Sequence, residues 1–167
     1  HAVTFQKHFP SLKWQTSDPD PSCRKSIRAW IEHHSLLGNM PEPIDLDVRK
    51  TPWPINVYLK TTLKIILCIN MLHITEWECT KALFAEAGKY LKKDHLLILY
   101  GPFKRNRTHT SKSNELFDQS LKRQNLNWGI REVEEVNEMG IKNGFTNEAI
   151  VQMPANNLII VFKKYSS

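Results

Sequence analysis

The sequence contains no glycine-rich turn. Its six glycines all stand isolated along the chain: Gly38, Gly88, Gly101, Gly129, Gly140 and Gly144. Closely spaced glycines allow a backbone to approach a bound ligand without a side chain in the way. A cofactor-binding turn of the GxGxxG type is therefore excluded within these 167 residues.

Cysteine and long apolar runs are also scarce. The three cysteines, Cys23, Cys68 and Cys79, form no CxxC spacing, which excludes a disulfide framework and a zinc site of the usual pattern. The longest apolar stretch runs from Ile65 to Leu72, far short of the roughly 20 residues that a membrane span needs. We expect no membrane partner and a reducing compartment, the cytoplasm, with the nucleus as the alternative.

The charge excess is modest. Twenty-three basic residues against 17 acidic ones give a net charge of +6. Such an excess permits contact with nucleic acid, but many enzymes carry as much to stay soluble. The basic loop Lys104, Arg105, Arg107 and Lys112 could attract an anionic substrate or could simply be solvated. No RRM, KH or helix-turn-helix pattern accompanies it, so we do not expect a nucleic-acid partner.

Helical and strand patterns alternate along the first hundred residues. Asp20-Pro21 is a helix start, and Thr75 and Glu78 form a capping box. The apolar run Leu63–Met71 is typical of a central parallel strand buried on both faces. Residues 51–60 and 101–113 read as irregular. We predict helices over 1–9, 21–35, 76–91, 114–124 and 133–142, and strands over 12–17, 43–48, 63–71, 95–100, 145–153 and 157–162.

The predicted inner faces follow from apolar spacing. We place Ile27, Trp30, Ile31 and His34 inward on the second helix, Leu83, Phe84, Ala87 and Leu91 on the third, and Leu116, Phe117 and Leu121 on the fourth. The alternation of elements predicts an α/β fold with a parallel sheet and helices on both faces. The four residues from Pro154 to Asn157 suit a turn that closes the chain as an antiparallel hairpin.

Several segments resemble one known family. They are FPSLKWQTSD (9–18), LCINMLHITEWECTKALFAEAGKYLKKDHLLILYGPF (67–103), SNELFDQSL (113–121), NWGIRE (127–132) and MPANNLIIVFKK (153–164). They are similar to the methyltransferase-like 26 family, a branch of the class I S-adenosylmethionine-dependent methyltransferases. The resemblance implies a Rossmann-like sheet of strand order 3-2-1-4-5-7-6, with the last strand antiparallel.

In that family, a first strand and a glycine-rich turn precede the residues that resemble His1-Ala2-Val3. We therefore expect residues 1–167 to form a single methyltransferase-like domain that is incomplete at its N-terminus. Because the first strand is central to the sheet, and its turn lies where such folds bind cofactors, we expect the chain by itself to fold poorly or to bind cofactor weakly.

The resemblance implies a set of cofactor contacts. Asp18, at the end of the second strand, corresponds to a residue that accepts hydrogen bonds from ribose hydroxyls, although it could merely begin the next helix. Asp47 corresponds to a contact of the adenine amino group, or it is a solvated strand-end carboxylate. Asn70 and Met71 end the fourth strand, where the methionine part of S-adenosylmethionine would lie.

Two further residues are candidates for catalysis. His73 could act as a general base or substrate contact, although a single histidine is more often structural. Tyr100 follows the fifth strand, where a substrate would be held. The asparagines of the turn at 153–157 suit that turn by chemistry alone. We predict no metal site, because methyl transfer mainly requires the acceptor to be aligned with the methyl donor.

Two functions compete at this point. The chain is either a methyltransferase with an unidentified acceptor, which could be a small molecule, or an inactive or truncated homologue that serves as a binding module. The missing glycine-rich turn favours the second hypothesis, and the retained Asp18, Asp47 and Asn70 favour the first.

Overall fold

The computed structural model describes residues 1–165 and divides the chain into two compact units. The first unit ends at Pro54 and the second begins at Ile55. Each unit has its own helices and its own buried residues.

The first unit contains helices α1 (Ala2–His8) and α2 (Pro21–His33), and both were predicted. Asp20 caps α2 by accepting a hydrogen bond from the backbone N–H of Ser22 at 2.7 Å, and Pro21 occupies the first helical position. Ile31 is buried as predicted, but Trp30 is 58% exposed, so its predicted inward position was wrong. Trp30 instead stacks on His34 on the surface of the helix.

The strands predicted at 12–17 and 43–48 do not form. The two segments run side by side in parallel, joined by a single bridge between Ser17 and Ile44. Ile44 N–H donates to Thr16 at 3.0 Å, and Asp18 N–H donates to Ile44 at 3.2 Å. Because this pairing is confined to the ends of the segments, neither becomes a regular strand.

The second unit contains most of the secondary structure. Its helices are α3 (Val57–Thr62), α4 (Trp77–Tyr90), α5 (Lys112–Gln124) and α6 (Val133–Lys142). Its strands are β1 (Ile65–Ile69), β2 (Leu96–Gly101), β3 (Phe103–Arg105), β4 (Thr108–His109), β5 (Arg131–Glu132), β6 (Phe145–Met153) and β7 (Asn157–Lys164). Short 3₁₀ turns cover Leu72–Ile74 and Pro154–Asn156.

Four strands form the main sheet, in the order β1-β2-β7-β6. β1 and β2 are parallel, whereas β7 is antiparallel to both β2 and β6. This arrangement corresponds to the 4-5-7-6 half of the expected strand order. The predicted Rossmann-like α/β class and its antiparallel C-terminal hairpin are confirmed.

The three remaining strands form a small sheet, β4-β3-β5; β3 and β4 lie in the stretch predicted to be irregular, and β5 lies between two predicted helices. The basic loop is largely the β3–β4 hairpin, whose turn residues Asn106 and Arg107 adopt φ values of 50° and 61°. Lys104 lies 3.4 Å from Glu132 on β5, so part of the loop's charge is paired. The short helix α3 likewise replaces part of the stretch predicted as irregular, because Asn56 caps it by accepting from Leu59 N–H at 2.8 Å.

The core of the second unit lies where α4 and α6 cover the sheet. The predicted inner face of α4 is confirmed, since Leu83, Phe84 and Ala87 are buried, as is Leu91 directly after the helix. Phe84 meets the ring of Phe162 edge-on, with centroids 5.2 Å apart. Gly140 of α6 passes close to the same ring. None of the helices in this described part of the chain is both long and apolar enough to cross a membrane.

One prediction of burial and one of capping were wrong. β1 is an edge strand of its sheet and most of its residues are half-buried, with only Cys68 fully buried. α4 begins at Trp77 after Glu76, and the Thr75 hydroxyl donates to Met71 O at 3.0 Å instead of capping the helix.

On α5 the inward positions belong to polar side chains. Leu116 and Phe117 are 53% and 41% exposed, whereas Asn114 and Asp118 are buried with Leu121. Asn114 donates to Asn156 O at 3.0 Å, and Asp118 accepts from Ile130 N–H at 2.7 Å. These hydrogen bonds offset the cost of burying polar groups, so the helix turns a polar face inward.

The contact between Gly140 and Phe162 gives a stability prediction. A Cβ on residue 140 would lie 2.6 Å from Cε1 of the buried Phe162 ring. We expect Gly140→Ala to lower the free energy of unfolding by about 1–3 kcal/mol despite the better helix propensity of alanine. Gly38→Ala is the control, because nothing lies within 4 Å of its Cβ position. Urea unfolding measures both, and an unchanged Gly140→Ala midpoint would contradict tight packing here.

Candidate functional site

The carboxyl ends of β1 and β2 meet at one edge of the main sheet. Their parallel register pairs Ile69 with Tyr100, and the next residue, Asn70, donates its N–H to Tyr100 O at 2.9 Å. Asn70 is exposed and adopts a left-handed φ of 55°, a conformation that asparagine tolerates better than most residues. The chain therefore turns sharply at Asn70 and enters the 3₁₀ turn Leu72–Ile74.

His73 lies in this turn and is only 6% exposed. Its ring meets Phe117 edge-on, with centroids 5.6 Å apart. A Cβ on residue 101 would lie 3.4 Å from His73 Nδ1 and 3.5 Å from Asn70 Oδ1. Both are ordinary van der Waals distances, so the end of β2 packs against His73 and Asn70 at Gly101, a contact that was not predicted from the sequence.

Burial lowers the pKa of His73 from 6.5 to about 4, and the positive charge of Arg131 contributes to the same shift. The imidazole is therefore neutral at neutral pH. A neutral imidazole has a free lone pair on one ring nitrogen, which can accept a proton or a hydrogen bond. His73 combines this state with a position at the strand ends.

The turn that contains His73 accepts hydrogen bonds from β5 and from the residues just before it. Arg131 Nε donates to Leu72 O at 3.0 Å, and Arg131 Nη2 donates to Thr75 O at 2.6 Å. Gly129 N–H donates to His73 O at 3.0 Å. The sequence analysis missed both residues, although NWGIRE was among the segments that carry the family resemblance.

Tyr100 and Met71 lie at the same edge. Tyr100 is half-buried, and its hydroxyl accepts a hydrogen bond from Asn157 Nδ2 at 3.2 Å. Met71 is half-buried at the start of the turn. Four of the six predicted site residues, Asn70, Met71, His73 and Tyr100, thus lie at the carboxyl ends of β1 and β2, although Gly101, and not Tyr100, is on the face of β2 that packs against His73. Asn157 joins them although its sequence suggested only a turn.

The other two predicted residues, Asp18 and Asp47, belong to the first unit. Asp18 is half-buried and its Oδ1 accepts from Asp20 N–H at 2.8 Å, as in an Asx turn. Asp47 is paired with Arg49, whose Nε and Nη2 donate to its two oxygens at 3.1 and 2.9 Å. These hydrogen bonds from Arg49 hold the Asp47 pKa below its usual value, so the carboxylate is ionised.

No cluster of three or more histidine, cysteine, aspartate or glutamate side chains that could hold a metal ion occurs within residues 1–165. The side chains at the strand ends supply an amide, an imidazole and a phenol. These groups can orient a polar ligand and accept a proton.

Comparison with known families gives one match. The sequence profile of a family described as "Protein of unknown function (DUF938)" matches residues 1–164.

Solved structures with a similar fold include O-methyltransferases. An O-methyltransferase family 2 protein from Planctomyces limnophilus, in complex with apigenin, aligns with 97% of this chain at a TM-score of 0.80 and 18% identity. An O-methyltransferase family protein from Burkholderia thailandensis aligns with 99% at 0.76 and 12%. PigF with SAH aligns with 97% at 0.79 and 14%. The chain spans 45–47% of the length of these three proteins, and at such identities the likeness shows the fold.

The low pKa of His73 gives a prediction for acid stability. Between pH 6.5 and about 4, the unfolded chain binds a proton at residue 73 that the folded chain does not. Stability at this site is therefore lost as the pH falls through that window. We expect wild type to lose about 2–3 kcal/mol more than His73→Gln between about pH 7 and about pH 4.5. Urea unfolding at both pH values tests this, and equal losses would mean that His73 is not buried as a neutral ring.

Proposed function

This chain belongs to the DUF938 family of proteins of unknown function, and we propose that it is an S-adenosylmethionine-dependent methyltransferase. The observation that carries the proposal is the buried, neutral imidazole of His73 beside the exposed amide of Asn70, at the joined carboxyl ends of β1 and β2. In open α/β sheets, ligands bind at the carboxyl ends of the strands.

The fold supports this proposal. Its β1-β2-β7-β6 sheet matches the 4-5-7-6 half of the strand order expected for class I methyltransferases, including the antiparallel strand, and the structural neighbours named above include O-methyltransferases. The assignment to the methyltransferase-like 26 branch is part of the proposal and rests on the sequence segments that resemble that family. The acceptor is left unassigned.

The residues have the chemistry that the cofactor requires. The Asp18 carboxylate, which uses Oδ1 for its own turn, has further lone pairs to accept ribose hydroxyls. Asp47 is proposed to face the adenine amino group, and Asn70 and Met71 the methionine end. The bound cofactor would supply an electrophilic methyl group on its sulfonium. These residues bind and orient, and none needs to change its covalent state.

His73 is proposed to receive the proton that an acceptor loses as it is methylated. It starts neutral, and its ring sits at the strand ends against Phe117 and Gly101. Tyr100, whose hydroxyl is oriented by Asn157, is proposed to position the acceptor. Because burial lowers the His73 pKa to about 4, the ring is unprotonated and available as an acceptor at neutral pH, but it is a weaker base than an ordinary imidazole.

One observation favours the alternative of a binding module without methyltransferase activity. Both carboxylate oxygens of Asp47 already accept hydrogen bonds from Arg49. A ligand amino group would have to share them. Cofactor binding separates the two functions, because a methyltransferase must bind S-adenosylmethionine, whereas a module that has lost the activity need not.

We expect Asp18→Asn to weaken S-adenosylmethionine binding about 10- to 100-fold, because the charged acceptor for the ribose is lost. An asparagine can still accept the Asp20 N–H, so the turn is preserved. Asp45→Asn is the matched control, since Asp45 lies in the same unit and its carboxylate is exposed beside Arg24. Calorimetric titration measures all three proteins. Equal affinities for wild type and Asp18→Asn would remove Asp18 from the site, and no binding by wild type would support the binding-module alternative.

We expect His73→Gln to lower the rate of methyl transfer about 10²- to 10⁴-fold, the usual contribution of a general base. Binding of S-adenosylmethionine should change little. The measurement is release of S-adenosylhomocysteine with a panel of hydroxylated small molecules as acceptors. His95→Gln is the control, because His95 precedes β2 at the opposite end of the strand. A His73→Gln protein as active as the control would exclude His73 as the base.

A further inference from the structure

Arg131 reaches the His73 turn from a distant part of the sequence. The residue lies 59 positions after Leu72 and 56 after Thr75, yet its guanidinium donates to the carbonyls of both. These two carbonyls flank His73 on either side along the chain. The bonds are 3.0 and 2.6 Å long, and the arginine is half-buried. A hydrogen bond from a charged donor contributes more than one from a neutral donor.

The segment that presents Arg131 is itself fixed. Ile130 N–H donates to Oδ1 of the buried Asp118 at 2.7 Å. Gly129 has a φ of 152°, and a Cβ at this position would lie 2.8 Å from the same carboxylate oxygen. Gly129 N–H in turn donates to His73 O. Asp118 therefore fixes the segment 129–131, in which Gly129 and Arg131 both donate hydrogen bonds to the His73 turn.

The guanidinium is held in one orientation. It lies over the ring of Trp77, 5.7 Å from the centroid, and Nη2 also donates to Asn127 O at 2.9 Å. Its hydrogen bonds go to carbonyl oxygens, while the acidic groups that act on it, Glu135 on α6 and Asp118 on α5, do so through space. Its positive charge therefore remains available to act on His73.

We propose that Arg131 is a positioning residue, which fixes the orientation of His73 at the strand ends by bridging the carbonyls of Leu72 and Thr75. This inference rests on the proposed function for its catalytic meaning. The geometric part does not, because the bridge and its effect on the imidazole exist without cofactor or acceptor. A planar fork with several fixed donors suits two carbonyls at once, and a lysine ammonium at the same position does not.

Two substitutions distinguish the role of the planar, multiply donating guanidinium of Arg131 from the role of its positive charge. Arg131→Gln removes both, and Arg131→Lys keeps the charge and removes the fork. Arg123→Gln, at an exposed position near the end of α5, is the matched control. The readouts are amide hydrogen exchange of residues 72–75 and the His73 pKa from an NMR titration of the full chain, with the His73 signal assigned by its absence in His73→Gln.

We expect Arg131→Gln to speed amide exchange in the turn about tenfold or more, the effect of losing at least one of the bridging hydrogen bonds. The His73 pKa should rise by about one unit, because water gains access and the cation is gone. Arg131→Lys should speed exchange by a similar factor while raising the pKa less. Arg123→Gln should match wild type in both readouts.

Three outcomes would overturn the inference. Unchanged exchange and unchanged pKa in Arg131→Gln would show that the bridge does not hold the turn. If Arg131→Lys shows both the amide exchange and the His73 pKa of wild type, the positive charge alone would account for the role of Arg131. If Arg131→Gln fails to fold, amide exchange in Arg131→Lys is the test. Exchange as slow as in wild type would then show that the planar guanidinium is not needed to hold the turn. Neither readout uses cofactor or acceptor, so a failure of the methyltransferase proposal would appear separately, in S-adenosylmethionine binding and in the activity of His73→Gln.

Discussion

The parallel pairing of β1 with β2 is the interaction on which the candidate site depends. It places Ile69 opposite Tyr100, so the polar residues that follow β1 emerge beside the end of β2. On the other side of β2, antiparallel β7 begins beside Gly101 and brings Asn157 to the Tyr100 hydroxyl. Asn70 and His73 after β1, Tyr100 of β2 and Asn157 of β7 thereby lie at one edge of the sheet, although they come from three separate segments.

Several residues at this edge of the sheet have a left-handed backbone conformation, which is strained. Asn70 is left-handed at the end of β1, and Ala155 and Asn156 are left-handed in the turn before β7. Such residues cost free energy and persist only where their surroundings hold them. Asn114 holds the second turn by donating to Asn156 O, while the N–H of Asn70 is bound to Tyr100. The buried polar face of α5 is thus part of the support for the site.

The surroundings of His73 determine the protonation state of its ring. No acidic side chain contributes to its shifted pKa. Burial and the positive charge of Arg131 both favour the neutral ring. A histidine paired with a carboxylate would shift the other way and would be more often charged. The environment therefore provides a neutral, oriented ring, which is the state that accepting either a hydrogen bond or a proton requires.

The elements with a regular apolar pattern were predicted well. α2 and its Asp20 cap, the inner face of α4, strand β2 and the hairpin of β6 and β7 all follow the sequence. Predictions failed where burial depends on a partner that the local pattern does not contain. Leu116 and Phe117 have apolar side chains but face outward, because Asn114 and Asp118 find hydrogen-bond partners in the interior.

The sequence by itself determined the α/β class, the closing hairpin and the position of Asn70, Met71 and His73 at the end of an apolar strand. These features are local, since strand and helix periodicity and turn chemistry act over a few residues. Only the tertiary structure decided that His73 is buried and neutral, that Gly101 packs beside its ring, and that Arg131 bridges its turn. Those properties arise between residues 28 to 59 positions apart, where packing and not sequence spacing sets the distances.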